Sequence, residues 1–318
     1  MSILPKPPIA MAGIAFFAGL YQLLIYLRQR QHREDLTFAL MCLATGLYDV
    51  FCAGLYGATS VVEGMRWQRA QVVTLAIASI ALLWFVADYT SQMSRKGLYA
   101  FSAYFSLAAI IGAVDRSDLT WLTNQPSIKH ILLPFDAEIT YYEVSPGVLT
   151  DLQSVMGLLG FAYIFWSGVR LYRSAQQQKA KPLLLAMAFL FAGVFNDTAV
   201  SSGLYQFVYL IEYAYLGVVL LMAYSLSNRV LEATIMKDAL QESEERFRRL
   251  AENAQDLIYR YEFIPQRRFA YVSPSATAMT GYTPEEHYTD PDLGFKLIYP
   301  DDRELLQQST HSEGGLEP

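Results

Sequence analysis

Residues 206–253 read QFVYLIEYAYLGVVLLMAYSLSNRVLEATIMKDALQESEERFRRLAEN. The first 21 hold no Lys, Arg, Asp or Glu apart from Glu212. The next 27 are dense in charge and hold no Pro or Gly. A bilayer core takes about 20 apolar residues of helix. The pattern therefore predicts one helix that crosses lipid over 206–226 and continues into water over 227–253. In the charged half, Val230, Leu231, Ile235, Ala239, Leu240, Phe247 and Leu250 recur mostly three or four residues apart, with a gap near Ser243. That spacing makes a narrow apolar stripe suited to pairing with a second copy of the chain. A monomeric solvated linker is the open alternative.

The change of solvent near residue 226 divides the whole chain of 318 residues. Residues 1–226 carry 27 charged side chains, and so do the 92 residues that follow. Overall 53% of residues are hydrophobic and 17% charged, against about 25% charged in ordinary soluble domains. A single soluble globule is excluded. A net charge of −6, with no strongly basic segment, argues against a nucleic-acid partner.

Stretches nearly free of charge recur at membrane-spanning length. They are residues 7–27, 36–56, 70–87, 97–114, 152–169, 182–204 and 206–226, with Asp49, Asp197 and Glu212 inside the second, sixth and seventh. The first lacks a small-residue cleavage site and is followed by a basic cluster, so it reads as a retained helix, not a signal peptide. Seven crossings place the termini on opposite faces. Arg28, Arg30, Arg33, Arg95, Lys96, Arg170, Arg173, Lys179 and Lys181 fall on one face; Lys6, Arg66, Arg69, Arg116 and Lys129 fall on the other. The positive-inside bias then predicts the N-terminus outside and the C-terminus in the cytoplasm. Trp67, Trp121, Tyr141 and Tyr142 sit near outer helix ends, as interfacial aromatics do. Residues 115–151 form the longest outer segment, predicted as a small cap or hairpin. It reads either as a solvated connector or as a lid over a ligand site.

Ionisable residues within membrane helices are costly and as a rule face the bundle interior or water. Asp49, Asp197 and Glu212 are each expected roughly 9–11 Å below the outer boundary, from their distance to the predicted helix ends. Tyr48, Asn196, Tyr213 and Tyr215 lie near the same level. Two readings are open. The residues Asp49, Asp197, Glu212, Tyr48, Asn196 and Tyr213 line a cavity for a small cationic or hydrogen-bonding ligand, or for a proton. Alternatively, each acid is hydrogen-bonded to a neighbouring helix and only holds the bundle together. Asp88 is expected at the interface. Cys42 and Cys52 are too far apart along one helix to pair and show no metal-ligand spacing. The seventh helix has no Lys for a retinal Schiff base, and His32, His130, His287 and His311 lie outside the apolar stretches, so no cofactor or metal is expected. Residues 46–56 and 193–205 echo each other faintly, which the taste of membrane helices for small residues explains equally well.

From about residue 247 the texture changes. Residues 256–263 alternate as a strand, 264–268 turn, and 269–273 form a second strand. Ser273 with Pro274 reads as a helix start and Gly281 as its end. Thr283 caps a second short helix, and 299–303 starts another.

The run FRRLAENAQDLIYRYEF, RRFAYVSPSATAMTGYTPEE and DPDLGFKLIYPDDRELL, over residues 247–308, resembles the first part of a PAS domain. Tyr299 stands where that family often has His. The resemblance implies a five-stranded antiparallel sheet with helices on one face. Only residues 309–318 remain for the last three strands, so it also implies a chain cut from a longer protein, or a region left disordered or completed by a partner. The missing strands normally complete the family's cofactor cavity, so no cofactor is expected here. The stretches YLRQRQHREDLTFALMCLATGLYDVFCAGLY and WQRAQ resemble bacterial seven-helix sensor regions attached to histidine kinases and diguanylate cyclases.

The expected fold is an all-α membrane bundle of seven transmembrane helices over residues 1–226, a helical linker over 227–253, and a truncated α+β PAS domain over 247–318. The expected function is a receptor in the bacterial inner membrane, with lipid around it and a small molecule or proton as its signal. A homodimer through the linker and an output enzyme beyond residue 318 complete that expectation. No histidine phosphorylation box, nucleotide-binding glycine loop or cyclase motif is present, so the chain itself is expected to be no enzyme. The runner-up is an ion or solute transporter using the three buried acids.

Overall fold

The computed structural model describes residues 6–30, 32–115, 117–133, 137–174, 176–201 and 204–303. Arg116, Asp136, residues 202–203 of the echo between helices, His311 and the segment 304–318 lie outside the described residues. The chain divides into two compact units, Met1–Arg229 and Val230–Pro318.

The first unit holds α1 (Lys6–Gln29), α2 (Arg33–Tyr56), α3 (Val61–Thr90), α4 (Arg95–Val114), strands β1 (Trp121–Leu133) and β2 (Ala137–Pro146), α5 (Val148–Arg173), α6 (Gln177–Ser201) and the start of α7 (Ile211–Glu252). All seven helices are long and apolar enough to cross a membrane. Buried residues are concentrated on α2, whereas α5 keeps most of its surface outward. Phe38 of α2 meets Phe85 of α3 at 5.1 Å between ring centres, and Phe85 meets Tyr89 at 5.5 Å. The Tyr89 hydroxyl donates to the Lys179 carbonyl at 2.8 Å and lies 3.0 Å from Ser225 Oγ, so α3, α6 and α7 share one knot. At that same end Arg229 donates to Glu34 at 2.8 Å.

The spans agree with the apolar stretches in number, but several boundaries differ. α3 begins at Val61, not 70: Ser60 accepts from the Glu63 amide at 3.3 Å while Glu63 accepts from the Thr59 amide at 3.0 Å. This closes a helical turn that carries charge and so escapes a search for apolar residues. α6 ends at Ser201 and α7 begins at Ile211, not 206, because residues 204–210 are tied into irregular backbone by α6 side chains.

β1 and β2 form the expected hairpin between α4 and α5, in register from Leu133↔Ala137 to Pro126↔Val144. A register shift between Leu122 and Pro126 absorbs the residue that cannot donate to the ladder. The hairpin is anchored at three places. Gln68 of α3 takes the Val144 amide on Oε1 at 2.9 Å and returns Nε2 to the Val144 carbonyl. Gly64 lets the backbone of β2 approach α3: a Cβ there would sit 1.7 Å from the Tyr142 carbonyl oxygen. At the root, Asp115 accepts from the Ser117 and Thr120 amides at 2.9 and 2.7 Å. Burial works against its charge, but these bonds and that of the Ser117 hydroxyl outweigh it and hold the carboxyl well below the usual carboxylate range.

The second unit contains β3 (Tyr259–Glu262), β4 (Arg268–Val272), α8 (Ser275–Thr280), α9 (Pro284–Thr289), α10 (Leu293–Leu297) and a single 3-10 turn, Pro300–Asp302. The two strands pair antiparallel, and Phe269, Val272 and Ala276 make its small core. Gly281 ends α8 with φ of 81°, and Thr283 with Glu286 forms a capping box on α9. Ser273 is not the cap of α8: Pro274 takes that place, and Ser273 Oγ instead accepts from the Ile258 amide at 2.9 Å, closing the strand pair. Among the described residues this unit holds two strands, not the five of a PAS sheet.

Candidate functional site

The site lies where β1–β2 covers the end of the bundle. Lys129 of β1 reaches Glu143 of β2 at 3.1 Å and donates to the Tyr209 hydroxyl at 2.8 Å. Tyr209 in turn donates to Glu143 at 3.0 Å. Burial, with the Glu143 carboxylate beside it, pushes the Tyr209 phenol above its ordinary value, so it stays a donor. Tyr141 stands between Tyr209 and Tyr56, with ring centres at 5.4 and 5.1 Å. The Tyr56 hydroxyl then donates to Glu212 of α7 at 2.6 Å. One polar and aromatic chain thus runs from the hairpin to the first turn of the last helix.

The sequence-expected acids do three different jobs. Asp197 accepts from the Leu210 amide at 2.7 Å and the Ile211 amide at 3.2 Å. It therefore caps α7 from the neighbouring helix, meeting amides that have no partner within their own first turn. Asn196 continues that work, donating to the Val208 carbonyl at 3.0 Å and accepting from Tyr205 at 2.7 Å. Glu212 is the second residue of α7, not six residues deep, since the helix starts later than its apolar stretch. It is 1% exposed, and its Oε2 has no hydrogen-bond partner among the described residues. Asp49, two turns before the end of α2, is likewise 1% exposed, with neither oxygen partnered. Counted from the helix ends, Asp49 is seven residues before the end of α2, Asp197 four before the end of α6, and Glu212 is the second residue of α7. Tyr48 is buried against Tyr215 with ring centres 6.1 Å apart. Tyr213 is 45% exposed and stands apart from the group, because its position on α7 faces the opposite way from Glu212 and Tyr215.

A cavity of about 740 Å³ opens inside the bundle beneath the hairpin. Of the expected site residues, Tyr48 and Asp197 line it; Asp49, Glu212, Asn196 and Tyr213 do not. The polar part of its wall includes Gln68, Gln71, Gln153 and Trp121, which sequence reasoning missed. The legible signal was three glutamines in or beside membrane-spanning stretches, where a buried amide needs a partner just as an acid does. Gln71 donates to Cys52 Sγ at 3.0 Å. Cys42 and Cys52 are both buried and free, as expected. Among the described residues no group of three or more metal-binding side chains comes together.

No curated protein matches the chain. A family profile described as 7TM diverse intracellular signalling matches residues 9–229. The match starts inside α1, runs through all seven helices, the hairpin and the cavity, and stops where the first compact unit stops. The chain is thus a multi-pass membrane protein and belongs to the 7TM diverse intracellular signalling family.

Proposed function

We propose that the chain is the sensing and relay part of a bacterial inner-membrane receptor, with its N-terminus outside and its C-terminus in the cytoplasm. A small molecule or proton acts at the hairpin end, α7 carries the change, and residues 247–318 belong to a PAS domain that passes it to a kinase or cyclase output. The chain itself has no catalytic role in this scheme.

The observation that supports this reading is α7. Its second residue, Glu212, holds the Tyr56 hydroxyl, and the same helix continues without a break to Glu252. Any change at the Tyr56–Glu212 bond acts on the helix that leaves the bundle. Beyond Arg229, Met236, Leu240, Phe247 and Leu250 are exposed at spacings of four, seven and three. With Ser243 between them, that is a heptad seam, and helices leaving one membrane in the same direction pair in parallel. The occupant of that seam is a second copy of the chain.

The test uses single cysteines in a background in which Cys42 and Cys52 are alanine. Leu240→Cys and Phe247→Cys are expected to form disulfide-linked dimers in native membranes, and Asp238→Cys, on the opposite side of the helix, is not. Adding Tyr56→Phe is expected to change the Leu240→Cys rate severalfold. Cross-linking that ignores seam position, or a rate indifferent to Tyr56, would remove the relay. Solute flux through proteoliposomes carrying the chain would replace it with a transport function.

A further inference from the structure

We infer that the cavity under the hairpin is a binding site for a neutral single-chain amphiphile whose head both donates and accepts a hydrogen bond. The inference rests on the receptor reading and names the class of ligand.

The shape comes first. The lining residues of α3 run from Gln68 to Leu83, about 22 Å of helix at 1.5 Å per residue. A sphere of about 740 Å³ would measure only about 11 Å across, so the space is a long slot. Its chemistry changes along that length. Gln68, Gln71 and Trp121 lie at the hairpin end, whereas Leu75, Leu82, Leu83 and Phe105 line the part towards the middle of the bundle. Polar at one end and hydrocarbon at the other is the profile of an amphiphile, and the volume is in the ordinary range for small-ligand sites.

The head is defined by two side chains that lack partners. Trp121 is 8% exposed and Gln153 6%, and among the described residues the Trp121 indole N–H has no acceptor and Gln153 Oε1 no donor. Both line the cavity. The segments that carry them meet: Thr150, one turn before Gln153 on α5, donates to the carbonyl of Thr120, the residue before Trp121, at 2.6 Å. Buried polar groups are nearly always paired. One orphan donor and one orphan acceptor in the wall of one cavity call for a ligand that accepts from the first and donates to the second.

The buried charge at the same end is already spent inside the protein. Lys129 is paired with Glu143 and Tyr209, and Asp197 is engaged by two backbone amides. Asp151, the remaining charged residue of the lining, is exposed. A phosphate, carboxylate or ammonium head would meet no unpaired buried counter-charge, so the head is neutral. The slot also has a side opening: Val155 and Leu158 of α5 line it and are about half exposed, with Val194 and Thr198 of α6 across from them. A chain can enter there from the apolar surroundings of the bundle.

The probe is decanamide, titrated by calorimetry into the protein in phosphatidylcholine nanodiscs, beside decanoate, decyltrimethylammonium and phosphatidylglycerol. Decanamide is expected to bind saturably, one per chain, with the three charged probes at least tenfold weaker. Trp121→Phe and Gln153→Leu each remove one bond to the head and are expected to weaken it about three- to tenfold. Gly157 lines the slot with nothing within 4 Å of a Cβ built there, so Gly157→Phe fills the space without a backbone clash. It is expected to keep the parent melting temperature and abolish binding. A neutral lipid extracted from the purified protein and displaced by decanamide would make the membrane the natural source; an empty extract with direct binding would make it a free solute. No saturable binding, equal binding of decanoate, or undiminished binding by Gly157→Phe would overturn the proposal. Decanamide binding without any change in Leu240→Cys cross-linking keeps the site and sinks the receptor. A cross-linking response to Tyr56→Phe in protein that binds no decanamide does the reverse.

Discussion

Asp115 and Asp197 show how a single carboxylate can hold a connection together. Each accepts backbone amides that no helix or strand supplies with a partner, Asp115 from the hairpin root and Asp197 from the start of α7. Asp115 divides its oxygens: Oδ1 serves Ser117 and Oδ2 serves the Thr120 amide. In Asp115→Asn one of those oxygens becomes an NH₂ facing an N–H. The substitution is expected to cost about 1–3 kcal/mol, read as a lower melting temperature and faster hydrogen exchange at Thr120. The pH dependence follows from the direction of the shift. A carboxyl held below the ordinary value near 3.9 stabilises the fold fully above that value and loses its contribution as acid titrates it. The gap between parent and Asp115→Asn is therefore expected to stay constant from about pH 5 to 8 and to close only in strong acid. The roles of Asp115 and Asp197 were not legible in the sequence, since both depend on which backbone amides the fold brings to them.

At the scale of elements, the hairpin is held by close approach to α3 more than by a large core of its own. Gln68 copies the hydrogen bonding of a third strand against Val144, one helical turn from the glycine that admits the backbone of β2. Gly64→Ala is expected to push β2 off α3, expose Lys129 to trypsin, and cost about 1–3 kcal/mol in thermal unfolding. Gly13→Ala, with nothing within 4 Å of the added Cβ, is the control and is expected to be neutral or slightly stabilising. The sequence located the seven spans because 20 apolar residues are a physical requirement of the bilayer, but it missed the charged first turns of α3. It placed the strands β3 and β4 by alternation and turn chemistry, and it took Ser273 for a cap that the fold uses to close a strand pair.

For the whole molecule, an odd number of crossings decides which compartments the termini occupy. A cysteine placed at residue 2 and another at residue 310, in the cysteine-free background, are expected to react with a membrane-impermeant maleimide from opposite faces of intact cells. Labelling of both from outside would overturn the topology. The cavity also belongs to this scale: it is bounded by α2, α3, α4, α5, α6, α7 and the hairpin, and no single element contains it.

The sequence alone determined the solvent of each part and the number of crossings, and it narrowed the segment between α4 and α5 to a small cap or a hairpin. These follow from composition and from local periodicity, which act over a few residues at a time. Only the tertiary structure decided that Asp197 caps α7, that Glu212 meets Tyr56, that Tyr213 faces away, and that the Trp121 indole N–H and Gln153 Oε1 have no partner among the described residues in one slot. Those facts depend on the rotation of each helix about its axis and on where it ends. Both are set by packing between residues up to 195 positions apart, which no local pattern records.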